Sequence, residues 1–183
     1  MSAFDELDWT SFDVWAAVAL EGVVVVETAD RASCHSWLRE HDYALTTIDF
    51  AQGISPAIVA LGELFRWEEQ FGYRLTPEKR NLDALRDGFE FDLKPGQGHV
   101  LELLGADVAY REDPRWTTGL LAIAHEYSRW QLALGARFFS MLVLDRGSPL
   151  IGVTYESLSV TNPFRIAARL GADNANADRN RFE

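Results

Sequence analysis

Two aspartates, Asp83 and Asp87, lie four residues apart in the segment KRNLDALRDGFEFD, residues 79–92. In a helix this spacing places both carboxylates on one face, where two like charges cost about 0.2–0.5 kcal/mol. The chain already carries a net charge of −11, so this repulsion needs a compensating reason. Two interpretations are open: a solvated helix face, which is the usual fate of exposed acids, or a surface that binds a cationic partner.

The histidines and the cysteine form no pattern typical of catalysis or metal binding. His125-Glu126 lacks the second histidine, four residues after the first, that a zinc-protease helix needs. Cys34 lies within a predicted helix, and we interpret it as a packed thiol. Neither a GxSxG nor a phosphate-binding glycine loop occurs. We therefore expect no catalytic activity, no metal and no cofactor. The four histidines share no metal-ligand spacing: His35, His41, His99 and His125.

Length and charge define the class of protein. With 183 residues, of which 48% are hydrophobic, the chain can bury the core of one domain. The segment 1–30 holds seven acids and neither Lys nor Arg. Such an acidic balance argues against a nucleic-acid binder, which needs a basic surface, whereas an acidic surface can steer association with a basic protein.

The compartment is predicted from what the sequence lacks. No apolar run approaches the ~20 residues of a membrane span, and the N-terminus lacks the basic region of a signal peptide. A single cysteine excludes an internal disulfide framework. We expect a cytoplasmic protein that binds neither membranes nor nucleic acid.

Apolar segments that alternate with helical patterns predict an α/β fold with a mainly parallel sheet of three or four strands packed with helices. The segment LIGVTYESLSV, residues 150–160, can return as an antiparallel edge strand. The predicted buried strands are VVVVET (23–28), ALTTIDF (44–50), HVLELL (99–104) and RFFSMLVL (137–144).

Capping residues predict where the helices begin and end. Asp30 precedes a short helix that ends near His41, and Ser55 followed by Pro56 predicts the start of a second helix. The segment 118–134 predicts a long helix that Gly135 terminates.

The acidic helix begins after Asn81, its predicted cap. Its leucines and Phe89 face the core, and its solvent-facing stripe consists of Asp83, Arg86, Asp87 and Glu90.

The segment NLDALRDGF, preceded by the pair Phe71-Gly72, resembles the barstar family of intracellular ribonuclease inhibitors. The predicted elements of residues 44–145 come in the family's order, and residues 21–43 are similar to the additional strand–helix unit of longer relatives. The resemblance divides the chain into an acidic N-terminal extension (1–20), a barstar-like α/β domain (21–145) and a C-terminal extension with a frayed tail (146–183).

In that family, the acidic helix and the loop before it plug the active site of the ribonuclease barnase, with carboxylates in place of substrate phosphates. The resemblance assigns the two interfacial aspartates to Asp83 and Asp87, and the helix cap to Asn81. It assigns a further interfacial glutamate, on the long helix, to Glu126.

Two features of this chain depart from the family pattern. Arg86 stands where the family has an interfacial tryptophan, and the lengthened loop before the helix carries Arg74, Lys79 and Arg80. These cations oppose a basic nuclease rim. We expect Arg86 and Tyr73 to shape the choice of partner.

The resemblance implies a stoichiometric inhibitor, or immunity protein, of a nuclease toxin. A non-inhibitory interaction module on the same fold is the alternative, with the C-terminal extension or the acidic N-terminal segment around Trp9 and Trp15 as its contact surface. A small-molecule enzyme is the third hypothesis.

Overall fold

The computed structural model describes Asp13, residues 22–155 and residues 158–160. Trp9, Trp15 and the predicted C-terminal tail lie outside the described residues. Within the described part of the chain, no helix combines the length and the apolar character needed to cross a membrane.

Four strands form one sheet in the order β1-β4-β3-β2, and all three pairings are parallel. This arrangement confirms the predicted α/β fold with a four-stranded parallel sheet, and it is consistent with a barstar-like architecture. The strands are β1 (Val23–Glu27), β2 (Tyr43–Asp49), β3 (Gly98–Leu104) and β4 (Arg137–Leu144).

Helices connect the strands, and short 3-10 turns at Thr28–Asp30 and Pro77–Lys79 precede two of them. The short helix α5 was not predicted from the sequence. The helices are α1 (Arg31–Glu40), α2 (Ile54–Leu64), α3 (Trp67–Phe71), α4 (Leu82–Gly88), α5 (Ala106–Glu112) and α6 (Pro114–Ala133).

The sheet separates two cores. The larger core joins one face of the sheet to α2, α3, α4, α5 and α6, and the smaller core joins the opposite face to α1. Cys34 lies in the smaller core, and burial raises the pKa of its thiol to about 12. The thiol is therefore packed in the core, as predicted.

The prediction that Ser55 caps a helix is wrong. Helix α2 begins two residues earlier than predicted, at Ile54, after Gly53 with φ +91°. The carboxylate of Glu112, at the end of α5, accepts a hydrogen bond from the Ile54 backbone N–H at 2.9 Å. A distant side chain therefore satisfies the helix start that a local cap was expected to satisfy.

The long helix begins earlier than predicted, at Pro114. Asp113 caps it, since its Oδ1 accepts a hydrogen bond from the Trp116 N–H at 3.0 Å. Gly135, with φ +81°, follows its C-terminus as predicted.

Residues 150–160 do not extend the main sheet, so the predicted edge strand is wrong. Strands β5 (Thr154–Tyr155) and β6 (Leu158–Ser159) pair only with each other, antiparallel. Leu150 and Leu158 are buried in the larger core, on the face of the sheet that packs against α6. Burial of these side chains beside α6 therefore determines the path of the segment, and the core continues beyond residue 145.

Asp13 is the described residue of the predicted N-terminal extension. It is buried, and its carboxylate lies 3.0 Å from Nε of Arg137 in β4. Burial and the Asp13 carboxylate both raise the pKa of Tyr43. At this point the extension is therefore anchored to the N-terminal end of the sheet.

Candidate functional site

Helix α4 carries the two aspartates and begins at the predicted cap. The Asn81 side chain accepts a hydrogen bond from the Asp83 N–H at 2.8 Å. Leu85 is buried on the inner face, while Asp83 and Asp87 are exposed on the outer face. The sequence prediction for the two faces of this helix is confirmed.

Close contacts fix α4 between two other helices. A Cβ on Gly88 would lie 2.7 Å from the Trp67 ring and 2.8 Å from the Phe71 ring, so α4 rests directly on the aromatic residues of α3. On the other side, a Cβ on Gly119 of α6 would lie 2.4 Å from a methyl group of Leu82. Glycine at both contacts brings α4 close to its neighbours.

Arg86 lies between a glutamate of α6 and the first of the two aspartates. Its Nε lies 2.9 Å from the Glu126 carboxylate on α6, and its Nη1 lies 3.9 Å from the Asp83 carboxylate. The resemblance assigned Glu126 to the same surface, and the structure places it next to α4. Arg86 and Glu126 are about half exposed, and an ion pair of this kind contributes about 1 kcal/mol or less.

The carboxylates of Asp83 and Asp87 remain accessible. The Asp83 side chain is 89% exposed. Asp87 is exposed and forms no ion pair with any residue that the structure describes. Two carboxylates on one outer face can therefore accept charge-assisted hydrogen bonds from a partner.

The cations of the preceding loop are engaged within the chain. Arg74 pairs with Glu68 at 3.0 Å, and Arg80 pairs with Asp113 at 2.8 Å. Lys79 lies over the ring of Tyr73, 5.0 Å from its centroid.

Tyr73 packs against the aromatic rings of α3. It lies 6.2 Å from the ring centroids of both Trp67 and Phe71, and it is half-buried. It thus supports the loop that leads into α4.

A groove of about 430 Å³ runs between α4 and the N-terminal half of α6. Tyr155 of the C-terminal hairpin lines its side, and Asp83 lies on its rim. Sequence patterns did not indicate Arg115, Trp116 or Tyr155 as lining residues, because the fold brings the start of α6, the C-terminal hairpin and α4 together from distant parts of the chain. The lining residues are Arg80, Asn81, Leu82, Asp83, Arg86, Asp113, Arg115, Trp116, Gly119, Ile123 and Tyr155.

A second polar cluster lies on the opposite face of the sheet, around the fully buried Glu102 of β3. Arg31 donates two hydrogen bonds to its carboxylate at 2.8 Å, and His35 and Thr47 bind it at 2.7 and 2.8 Å. Burial alone would raise the pKa of Glu102, but these hydrogen bonds outweigh it and lower the pKa to about 2. The cluster ties α1 to two strands.

An enzyme that used the adjacent residues His125 and Glu126 would need both side chains at a pocket, and they do not line the groove. His125 is buried, and Glu126 is engaged by Arg86. Neither side chain borders the groove beside α4.

No family model, curated protein or solved structure matches this chain. The resemblance to the barstar family therefore rests on the Asn81–Asp87 motif and on the order of the elements around it.

Proposed function

We propose that this chain is a cytoplasmic immunity protein of the barstar type, which binds a nuclease toxin 1:1 and blocks its active site. The proposed toxin is a ribonuclease, and no cofactor takes part. One observation carries the proposal: helix α4 presents the accessible carboxylates of Asp83 and Asp87 on a capped element that glycine contacts fix in place.

Carboxylates at fixed positions suit the active site of a nuclease. Arg, Lys and His side chains bind the substrate phosphates there, and they can donate charge-assisted hydrogen bonds to carboxylates instead. A helix that is already ordered loses little conformational entropy on binding. The net charge of −11 favours fast association with a basic enzyme.

The cations around α4 are paired with carboxylates of this chain, so a basic partner can approach. Arg80 and Arg86 each pair with a carboxylate of this chain, which reduces their repulsion of a basic surface. In this proposal Glu126 binds the partner protein only after Arg86 has released it. Asn81 contributes through the cap, and Tyr73 and Arg86 shape the choice of partner.

Calorimetric titration tests the proposal against two enzymes, the nuclease encoded nearest to this gene and barnase. We expect Asp83→Asn/Asp87→Asn to weaken binding by about 2 kcal/mol or more, a rise in Kd of about 30-fold, because cations of the nuclease that the interface buries lose their carboxylate partners. The control Glu40→Gln/Asp42→Asn changes the charge equally, and its residues are exposed in and after α1, on the far face of the sheet. It should leave Kd within about twofold.

Each contrary result has a definite meaning. If the wild-type chain binds neither nuclease, the inhibitor proposal is wrong. If the aspartate variant binds as tightly as the control, α4 is not the interface.

One observation supports the alternative of a non-inhibitory module: Tyr155 of the C-terminal hairpin and Asp83 of α4 line the same groove. Such a module would bind its partner through the extensions. Binding would then survive the aspartate substitutions and fail on replacement of Tyr155 or deletion of residues 1–20.

A further inference from the structure

The groove beside α4 is lined by an excess of positive charge. Three arginines face it, against two aspartates, whereas the whole chain has a net charge of −11. Cations gathered around a concave site in an acidic protein indicate an anionic occupant, because charges across an interface are usually complementary.

The arginines differ in how they are engaged. Arg80 pairs with Asp113 and lies over the Trp116 ring at 5.9 Å, and Arg86 pairs with Glu126. Arg115, in the first turn of α6, is exposed and forms no ion pair within the described part of the chain. Its guanidinium therefore has free donors at the groove.

Asp113 organises this side of the groove. One carboxylate oxygen accepts a hydrogen bond from the backbone N–H of Trp116 at 3.0 Å, and the other accepts a hydrogen bond from the Arg80 side chain at 2.8 Å. The start of α6 and the loop before α4 are thereby held together. A guanidinium carries five N–H donors, so Arg80 can bind Asp113 and a second acceptor at once.

Apolar side chains form part of the lining of the groove. Trp116 and Ile123 are buried beneath it, and Tyr155 forms one side. The indole N–H of Trp116 has no acceptor among the described residues. A lining that combines arginines with a few apolar side chains suits a short side chain that ends in a carboxylate.

We propose that this groove receives an aspartate or glutamate side chain of the protein that α4 binds, with Arg115 and Arg80 as its cationic partners. The inference rests on the proposed function for one step: Asp83 lies on the rim of the groove, so a protein that covers α4 also covers the groove.

The partner surface thus has two signs of charge. Its cations meet Asp83 and Asp87, and an acidic side chain beside them enters the groove. Such a pattern fixes the register of the two proteins and disfavours enzymes whose rim is uniformly basic. The arginines that oppose a simple basic partner become attractive for this one.

The test uses a carboxylate probe, so that it does not depend on a nuclease. The full-length 15N-labelled chain is titrated with N-acetyl-glutamate N-methylamide and, separately, with the neutral glutamine analogue. We expect the Trp116 indole and Arg115 side-chain signals to shift with the glutamate probe alone. Arg115→Glu should raise Kd about tenfold or more, because it removes a charge-assisted contact and adds repulsion.

Arg39→Glu, an equal charge reversal at an exposed position on α1, is the matched control and should change Kd by less than about twofold. The spectra themselves report whether each variant is folded. Equal shifts with both probes, no shift at the groove, or unchanged binding by Arg115→Glu would each overturn the inference.

The aspartate variant separates this inference from the proposed function. Asp83→Asn/Asp87→Asn should retain or strengthen binding of the carboxylate probe, because it removes negative charge from the rim. If the groove binds the probe while the chain binds neither nuclease, the inhibitor proposal fails and the carboxylate site remains.

Discussion

Arg86 and Glu102 both form ion pairs, but the carboxylate of Glu102 is fully buried, whereas both members of the Arg86 pair are exposed to water. Arg86 and Glu126 are about half exposed, so solvent screens their attraction. Either side chain can therefore leave this ion pair and bind a charged group of another protein. Glu102 is fully buried and holds hydrogen bonds from Arg31, His35 and Thr47. The exposed pair therefore suits recognition, and the buried cluster supports the fold.

The pH dependence of stability should reveal Glu102. Its pKa is lowered from 4.5 to about 2, so its stabilisation, of the order of 3 kcal/mol, is present above about pH 4.5 and lost as the pH falls towards 2. Glu102→Gln should lower the free energy of unfolding by about 3 kcal/mol at pH 7, because it removes the negative charge that Arg31 and His35 bind. Urea denaturation at pH 7 and at pH 3 measures both effects.

The two proteins should converge in stability as the pH falls, because the wild-type carboxylate then becomes protonated. A difference that stays constant from pH 7 to pH 2.5 would contradict the role of this charge. Glu90→Gln, at an exposed acid after α4, is the control and should change stability by less than about 0.5 kcal/mol.

At the scale of the elements, α4 depends on its neighbours more than on its own sequence. It has seven residues, too few to be a stable helix in isolation. Three contacts hold it: the Asn81 cap, the crossing with α6 at Gly119, and the platform formed by the rings of Trp67 and Phe71 in α3. Asp87 is adjacent to Gly88, so a shift of the platform would move the proposed interface.

Gly88→Ala should therefore destabilise the protein, although alanine is the better helix former. The added methyl group would meet the rings of Trp67 and Phe71, and Trp67 is too deeply buried to move aside. We expect a loss of about 1–3 kcal/mol, read as a fall in Tm. Gly147→Ala, where a Cβ has no neighbour within 4 Å, is the control and should not lower Tm. An unchanged Tm in Gly88→Ala would show that α3 yields.

Short-range patterns predicted the four strands and most of the helices, while contacts between distant residues determined the features that the sequence did not show. Apolar runs located all four strands, and Asn81 located α4. Glu112 replaced Ser55 at the start of α2 because a residue 58 positions away reaches its first N–H. Glu102 is a single acidic residue in an apolar strand, and its ion pair could not be predicted because Arg31 lies 71 residues away in the sequence. The groove was hidden for the same reason, as Tyr155 reaches it from the C-terminal hairpin.

At the scale of the whole molecule, the parallel sheet keeps two surfaces apart. Helix α1 and the Glu102 cluster lie on one face, and α4, α6 and the groove lie on the other. Variants on α1 can therefore serve as charge-matched controls for variants on α4. The C-terminal hairpin belongs to the second side, where it contributes both to the core and to the groove.

The hairpin should be indispensable for folding. Leu150, Leu158 and Val160 are each at most 2% exposed and belong to the larger core. Burial of one such side chain contributes about 1.5–3 kcal/mol, and three together approach the whole free energy of unfolding of a typical domain, about 5–15 kcal/mol. A chain that ends at residue 145 should therefore lose cooperative thermal unfolding. A chain that ends at residue 160 retains Leu150, Leu158 and Val160 and should unfold cooperatively.

Leu150→Ala in the full chain should lower the free energy of unfolding by about 2–5 kcal/mol. If the chain ending at residue 145 melts like the full-length protein, the hairpin is an appendage, and its Tyr155 wall cannot be a fixed part of the groove.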